Sequence, residues 1–442
     1  MNSILFLGSF IFYFWGEKAY TIIVLISILV NYLTALGIHA IPAFKKGILI
    51  LGIVLNLSLL VYFKYFNFFI NDVLFPLGWS ERLNMYDEIH LPLGISFFTF
   101  HGLTYIIDVY WKKFQPTSNL LNIGLYVLFF PQLIAGPIVR YLNIHQDIEK
   151  RQLSLDGLHH GVPLFIVGLA KKILLANTLG RIADSVFALP LVELHSVLLW
   201  FGIVVYALQI YYDFSGYSDM ARGLARLFGF QFPENFNFPF SARSFNDFWK
   251  RWHISLTTFF REYVYVPMGG NQKGKLRTYF NLFFVFTLTG FWHGAAWNCL
   301  LWGIVTGLFI ILEKAFLGEV IQKWKFLPAN AYTLFVFLIS LLVFRIEDVQ
   351  ILPEIFAKAF FIDSYSSGAY PISYFLTNDQ ILIFLVSILF AYPWHRKLML
   401  NLSQFRGLRF KIIYQISLIA LFLLTLSVMA ASTYNPFIYF KF

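Results

Sequence analysis

The chain has 442 residues, of which 59% are hydrophobic, 20% aromatic and only 13% charged. Soluble domains carry about a quarter of charged residues, so this composition excludes an ordinary soluble domain. The net charge of +10 lies mostly in short breaks between apolar runs, such as Lys45/Lys46 and Lys171/Lys172. That distribution follows the positive-inside rule and favours contact with membrane lipids over binding to nucleic acid.

Nine apolar stretches have a length suited to crossing a hydrocarbon layer of about 30 Å. Backbone groups in lipid need internal partners, and these stretches lack the alternation of a membrane barrel. We therefore predict an all-α, polytopic helical bundle, with roughly ten to twelve membrane helices in one domain over residues 1–442. The nine stretches are Ala19–Ile38, Gly47–Phe63, Gly161–Asn177, Val197–Tyr212, Tyr279–Cys299, Leu300–Leu317, Ala331–Arg345, Gln380–Trp394 and Ile412–Ala431.

Three shorter apolar runs are further spans, re-entrant pieces or buried helices: Ile4–Trp15, Leu91–Ile107 and Ile123–Ala135. The first has no basic region before it and no small-residue cleavage site after it, so we predict a retained span. The single cysteine, Cys299, excludes an intramolecular disulfide and a cysteine-based metal site. No His-Glu-x-x-His motif is present, and we predict no metal site.

Two acidic residues, Asp213 and Asp219, bracket a Ser215-Gly216 step that predicts a helix break. Arg222 lies three residues beyond Asp219, within reach for an ion pair on a helix. Asp213 is therefore either a structural ion-pair partner at a kink or part of the lining of a polar cavity. The motif Gly-x-Ser-x-Gly is absent, which disfavours a serine hydrolase.

A basic segment from Arg243 to Arg277 contains seven basic residues against two acidic ones, an excess that is half of the net charge. It is either a topology determinant in contact with anionic lipid or a landing site for a phosphate-bearing donor. On the second interpretation, the candidate donor-binding or tunnel-lining residues in it are Trp249, Arg251, Trp252 and Arg261.

An aromatic stripe within this segment has the spacing of one face of a helix. It predicts an amphipathic helix that lies on the membrane surface or dips into it. The stripe is formed by Trp249, Trp252, His253, Leu256 and Phe260.

The most informative histidine is His293, in the context Gly290-Phe291-Trp292-His293-Gly294 of an otherwise apolar stretch. An ionisable group at membrane depth is costly and is by default a functional candidate. The two glycines allow either close backbone approach or a local helix break, which would free backbone N–H groups to face a ligand. The alternative is a neutral histidine hydrogen-bonded to a neighbouring helix. His253, 40 residues upstream, is either an interfacial or core histidine or a partner of His293 in one cavity.

Seven stretches together resemble the membrane-bound O-acyltransferase family, and most closely its bacterial branch that acetylates alginate, peptidoglycan and other cell-surface glycans. The resemblance is dense from about Leu91 to Glu313 and returns at the end of the chain. The stretches are Phe129–Ile138, Gln209–Asp219, Phe228–Pro239, Ser244–Leu256, Arg261–Asn271, Gly290–Trp297 and Asn435–Phe440.

The resemblance implies that His293, in the Trp-His-Gly motif, is catalytic and that His253, in the Arg-Trp-His motif, is the second histidine involved. It implies a multi-pass protein of the bacterial cytoplasmic membrane with a central tunnel and no bound cofactor. An acetyl group would pass from acetyl-CoA in the cytoplasm to a glycan hydroxyl outside, with an extracytoplasmic partner protein completing the transfer. Alternatives are D-alanyl transfer to teichoic acid, acylation of a lipid or protein, and a non-enzymatic transporter or flippase of a cell-wall precursor.

In the enzymatic hypothesis, neutral His293 takes the proton of the attacking hydroxyl. The tetrahedral oxyanion needs hydrogen-bond donors, for which we consider backbone N–H groups near Gly290 and Gly294 or the amide of Asn298. Trp292 and Asn298 are therefore candidate tunnel residues. Cys299, six residues from His293, falls on a different helical face and is a poor candidate for an acyl-carrying nucleophile.

Overall fold

The computed structural model describes residues 1–79, 88–134, 136–360, 370–394 and 407–434. All regular secondary structure in these ranges is helical, which confirms the predicted all-α class. The terminal motif Asn435–Phe440 lies outside the described residues.

The α-helices longer than one turn follow in chain order. They are α1 (Asn2–Glu17), α2 (Thr21–Ala40), α3 (Lys45–Leu60), α4 (Ile95–Tyr110), α5 (Leu120–Leu128), α6 (Tyr141–Lys150), α7 (Leu155–Ala170), α8 (Asn177–Phe187), α9 (Ser196–Leu227), α10 (Phe245–Trp249), α11 (Ile254–Phe260), α12 (Gly274–His293), α13 (Trp297–Leu312), α14 (Gly318–Lys323), α15 (Phe326–Arg345), α16 (Leu352–Phe360), α17 (Asn378–Phe390) and α18 (Leu408–Ala431). Wider π-helical turns occupy Val61–Tyr65, Phe69–Trp79, Lys171–Ala176, Arg261–Tyr265 and Glu313–Leu317.

Seven helical stretches in the described ranges are long and apolar enough to cross a membrane. The polytopic bundle is therefore confirmed. The shorter run Leu91–Ile107, predicted to be a span, a re-entrant piece or a buried helix, forms the largely buried helix α4, which is below that length. The seven stretches are Asn2–Ala40, Pro42–Gly78, Leu155–Phe187, Ser196–Leu227, Trp297–Lys323, Phe326–Arg345 and Lys411–Ala431.

The described residues form two compact units: Met1–Val162 with Ala221–Pro233, and Pro163–Met220 with Glu234–Phe442. In the first unit, α2 packs against α3 and α4. Asn31 of α2 and Asn56 of α3 exchange two amide hydrogen bonds of 3.0 Å. Such polar bonds between buried side chains fix the pairing of apolar helices, where burial of apolar surface alone gives little preference in lipid.

In the second unit, α12 and α13 form the most extensive helix pair. Glycines make this close approach possible: a Cβ on Gly290 would lie 2.4 Å from the carbonyl oxygen of Cys299, and one on Gly303 would lie 2.5 Å from that of Phe286. Small residues let two backbones touch, and the contact holds the end of α12 against the start of α13.

The predicted amphipathic helix over Trp249–Phe260 is wrong as one continuous element. The chain forms α10, turns, and starts α11 only after His253, which adopts the left-handed conformation with φ 45° and ψ 54°. The backbone N–H of Ile254 is directed to the carbonyl of Asn235. This bond to a distant loop replaces the helical one, and the stripe becomes two short helices.

Two other local predictions, the span Tyr279–Cys299 and the break at Ser215-Gly216, differ from the structure. The predicted span Tyr279–Cys299 is broken, because α12 ends at His293 and α13 begins at Trp297, with Gly294 extended at φ −158°. The predicted break at Ser215-Gly216 is absent, since α9 runs through it. There Gly216 packs against the backbone of Gly168, so the glycine serves a close helix contact instead of a kink.

Candidate active site

His293 is the last residue of α12, and its ring is surrounded by aromatic side chains. Its ring centroid lies 5.1 Å from that of Trp302 on α13, 5.9 Å from Phe344 on α15 and 4.9 Å from its neighbour Trp292. The rings of Trp302 and Phe344 meet it edge to face. Three helices therefore fix the orientation of the imidazole at a point where the helical backbone ends.

His253 lies in the turn between α10 and α11 and is 1% exposed. Its Nδ1 is 3.3 Å from the side-chain oxygen of Asn235, which also accepts hydrogen bonds from the backbone N–H and the hydroxyl of Ser255. Its Nε2 is buried with no hydrogen-bond partner among the described residues. Left-handed backbone at a non-glycine residue costs about 1–2 kcal/mol, and Asn235 offsets that cost with its bonds across the turn.

The pKa of His253 is held well below the ordinary value, chiefly by burial and further by the nearby His293. Burial disfavours the charged imidazolium, and a second histidine close by disfavours it again. His253 is therefore neutral at neutral pH; with Nδ1–H donating to the side-chain oxygen of Asn235, its Nε2 is left as an acceptor.

Trp292 lies between the two histidines. Its ring centroid is 6.4 Å from that of His253 and 4.9 Å from that of His293. Phe214 of α9 covers the other side of His253 at 4.5 Å. The structure thus brings three predicted site residues, His253, Trp292 and His293, into one aromatic cluster of the second unit.

A cavity of about 360 Å³ opens beside this cluster, within the size range of small-ligand sites. Its inner end is lined by Trp249 and Phe286 and by Thr289, which lies one helical turn before His293 on α12. The ring of Trp249 is 5.8 Å from that of Trp302, the neighbour of His293. The cavity therefore ends close to the catalytic candidate.

The other end of the cavity is basic. Lys250, Arg261 and Lys314 line it, and no acidic residue lies among the described lining residues. Lys314 donates a hydrogen bond of 2.9 Å to the side chain of Asn271, and the Arg261 side chain is 61% exposed. The cavity thus offers positive charge at its outer part and aromatic surface inside.

The remaining predicted site residues are placed differently. Trp252 is buried among Phe248, Phe236 and Phe337, away from the cavity lining. Arg251 pairs with Asp247 at 3.0 Å. These residues support the segment that carries the histidine.

Asp213 and Asn298 are both engaged in structural contacts. Asp213 forms a buried ion pair of 2.5 Å with Lys172, and Asp219 pairs with Lys171 at 2.6 Å. Asn298 donates a hydrogen bond of 2.8 Å to the backbone carbonyl of Phe344. Through that bond Asn298 ties α13 to α15 beside the ring that covers His293.

Several residues of the site were not predicted from sequence, among them Asn235, Trp302, Glu313 and Phe344. Each acts on a residue distant in sequence, so no spacing pattern signals it. Asn235 and Glu313 hold the turn and helix that present His253, while Trp302 and Phe344 enclose His293.

Residues 11–353 match the membrane-bound O-acyltransferase family, so the chain belongs to that family. It is a multi-pass membrane protein and an O-acyltransferase, as predicted.

Relatives over most of the chain are glycan-modifying enzymes. The chain is 34% identical to the probable alginate O-acetylase of Pseudomonas putida, over 100% of this chain and 94% of the relative. It is 37% identical to the peptidoglycan O-acetyltransferase of Helicobacter pylori, over 73% of this chain and 66% of the relative. A shorter match, 31% identical over 54% of this chain and 63% of the relative, is to the teichoic acid D-alanyltransferase of Bacillus subtilis.

Proposed function

We propose that this protein transfers an acetyl group from cytoplasmic acetyl-CoA to a hydroxyl of a cell-surface glycan, with His293 as the catalytic base. The observation that carries the proposal is the cavity: it begins at three cationic side chains and ends one helical turn from His293. The names of the relatives, an alginate O-acetylase and a peptidoglycan O-acetyltransferase, support an acetyl group as cargo and a glycan as acceptor.

The charge of the cavity supports a nucleotide-bearing thioester as the donor. Phosphate groups are favoured beside Lys250, Arg261 and Lys314, while the aromatic inner part suits an uncharged acyl arm. A D-alanyl group carries an ammonium, and the described lining offers it no carboxylate. Bringing that cation past Lys250 and Lys314 would cost Coulomb energy that an acetyl group avoids, while Arg261 is paired with Glu262 at 3.3 Å. Acetyl is therefore favoured over D-alanyl.

The cationic end also supports a cytoplasmic entrance. Helix α12 starts next to Lys273 and Lys275 and ends at His293, about 30 Å away for 20 residues. Although α12 is not among the seven stretches long and apolar enough to cross a membrane, the positive-inside rule favours the cytoplasm for its basic end, with His293 farther from that side. The donor would then enter from inside, and the acceptor, with an extracytoplasmic partner protein, would approach from outside.

In the reaction, the acceptor hydroxyl gives its proton to neutral His293 while its oxygen bonds to the thioester carbon. The carbonyl π electrons move to the carbonyl oxygen and form the tetrahedral oxyanion. When the carbonyl reforms, the C–S bond breaks and the thiolate leaves, taking up the proton from His293. A base in this position contributes about 10² to 10⁴ in rate. Neutral His253, which contacts the other histidine's neighbour Trp292, helps to position the donor or takes part in proton transfer.

The test uses inside-out membrane vesicles from cells that make the protein, supplied with acetyl-CoA labelled in the acetyl group. Labelled, alkali-labile acetate in the glycan fraction is the expected product, and it requires His293. A matched arm supplies a D-alanyl thioester in place of acetyl-CoA. Transfer of D-alanine with no transfer of acetate would contradict the proposed cargo, and flux of a precursor without acyl transfer would contradict the enzyme.

A further inference from the structure

The indole N–H groups of Trp302 and Trp249 are buried without a hydrogen-bond partner among the described residues. Trp302, which is 4% exposed, packs on His293, and Trp249, which is 6% exposed, packs on Trp302. The half-buried Trp200, by contrast, has a partner: its Nε1 donates to the backbone carbonyl of Ala359 at 2.9 Å. The fold therefore has carbonyl oxygens to offer, but none is directed at this pair.

Leaving a buried donor unpaired is energetically costly, because its hydrogen bonds to water are lost without replacement. A phenylalanine would fill much of the same space without that cost, and the walls here already contain Phe286 and Phe344. Unpaired donors at this place are therefore best explained by an acceptor that arrives with the substrate.

The position of the pair matches the place where such an acceptor is needed. Trp249 lines the inner end of the cavity, and Trp302 packs on both Trp249 and His293. The pair thus spans the interval between the cavity and the base. The amide of Asn298, an alternative considered from sequence, already donates to Phe344.

We propose that the indole N–H of Trp302, with that of Trp249 as a second donor, binds the carbonyl oxygen of the donor thioester. This inference rests on the proposed acyl transfer. As the acceptor oxygen bonds to the thioester carbon, the C=O π pair moves onto the carbonyl oxygen, and the two N–H groups stabilise the negative charge there. When the C–S bond breaks, the charge returns into the carbonyl and leaves on the sulfur. Fixed donors in a water-poor site are the arrangement that stabilises such an oxyanion.

The first test removes the N–H donor and keeps an aromatic side chain. Trp302→Phe and Trp249→Phe are compared with Trp200→Phe, which makes the same chemical change at a tryptophan of α9 that packs on Phe335 and Phe360. Thiol release from acetyl-CoA by membrane vesicles is followed, with His293→Ala vesicles as the background. We expect kcat to fall about 10²- to 10³-fold in Trp302→Phe, with KM for acetyl-CoA little changed, and to stay near wild type in Trp200→Phe.

A second measurement separates an oxyanion role from packing. Dithioacetyl-CoA carries sulfur in place of the carbonyl oxygen, and sulfur is a poor hydrogen-bond acceptor. We expect the oxygen-to-sulfur rate ratio of the wild type to exceed that of Trp302→Phe by at least tenfold, since the variant retains only the Trp249 donor. An unchanged ratio, or a Trp302→Phe variant with wild-type kcat, would overturn the inference while leaving the His293 assignment intact. A wild type whose thiol release equals that of His293→Ala would overturn the proposed function as well.

Discussion

The carboxylate of Glu313 accepts a hydrogen bond of 2.7 Å from the backbone N–H of Phe245, the first residue of α10. Its second oxygen accepts another of 3.0 Å from Asn246. Glu313 is 4% exposed and follows directly on α13, the helix whose Trp302 packs against His293. One carboxylate therefore ties the segment that carries His253 to the helix that encloses His293.

Removing this carboxylate should loosen the His253 segment. Glu313→Ala leaves two buried N–H groups at the start of α10 unpaired, and we expect a loss of about 2–4 kcal/mol in the free energy of unfolding, with activity falling further than expression. The measurement is thermal unfolding of the purified protein in detergent, alongside vesicle activity. Glu319→Ala, at an exposed position of α14, is the control and should lie within about 0.5 kcal/mol of wild type. Equal stability of the two variants would show that the hydrogen bonds of the Glu313 carboxylate to the start of α10 do not stabilise the protein.

The depressed pKa of His253 predicts how pH acts on the protein. Above the ordinary histidine pKa of about 6.5, the folded and unfolded chains are both neutral at this position. Below it, His253 binds a proton in the unfolded chain but stays neutral in the folded chain, because its pKa is lower there. Stability that is present above pH 6.5 is therefore lost as the pH falls toward the folded-state pKa. The melting temperature should therefore decrease from pH 7 to pH 5.

Asn235→Asp checks the origin of this pH dependence. A carboxylate beside Nδ1 favours the imidazolium, so it should raise the pKa of His253, reduce the acid destabilisation and move the acid limb of kcat/KM to higher pH. If the variant and the wild type have superimposable pH profiles, His253 does not titrate in the reaction or in unfolding.

The close contact of α12 and α13 should be sensitive to one methyl group. Gly303→Ala would place a Cβ 2.5 Å from the carbonyl oxygen of Phe286, so the helices must separate and the His293 ring must shift from Trp302. We expect a loss of about 1–3 kcal/mol in stability and at least tenfold in kcat. Gly8→Ala in α1, where a Cβ meets nothing within 4 Å, should leave both unchanged. Normal activity in Gly303→Ala would contradict the need for this contact.

The ion pair of Lys172 and Asp213 should behave as a buried structural pair. Asp213→Asn leaves the Lys172 charge without its partner, and we expect a loss of about 3–5 kcal/mol. The double variant Lys172→Met/Asp213→Leu should recover most of the stability and activity. Asp219→Asn, in the more exposed pair with Lys171, should cost about 1 kcal/mol or less. A stable but inactive double variant would instead assign Asp213 to the lining of the tunnel.

The sequence was informative where a local rule decides the outcome. Apolar run length predicted the helical membrane bundle. The glycines around His293 indicated a close backbone approach or a local helix break, and the structure has both, the first at Gly290 and the second between His293 and Trp297. Basic residues of the Arg243–Arg277 segment do line a cavity, as a donor landing site requires.

The sequence misled where distant contacts override local periodicity. The stripe from Trp249 to Phe260 has the spacing of one helix, but Asn235 captures the backbone and side chain of the His253 turn and interrupts it. Trp302 could not be predicted as a site residue from the sequence. Its unpaired N–H and its contact with His293 arise only when the helices pack. Asp213 was a candidate because it is an acidic residue next to an apolar stretch. In the structure it forms an ion pair with Lys172, a residue distant in sequence.

If His293 catalyses acyl transfer to a surface glycan, the acetyl esters of that glycan depend on this histidine. The most direct measurement is the acetyl ester content of the cell-surface glycan in cells carrying wild type, His293→Ala or Trp200→Phe, each present in the membrane at the same level. We expect esters in the wild-type and Trp200→Phe cells and their loss in the His293→Ala cells. Normal ester content in the His293→Ala cells would show that His293 is not the catalytic base.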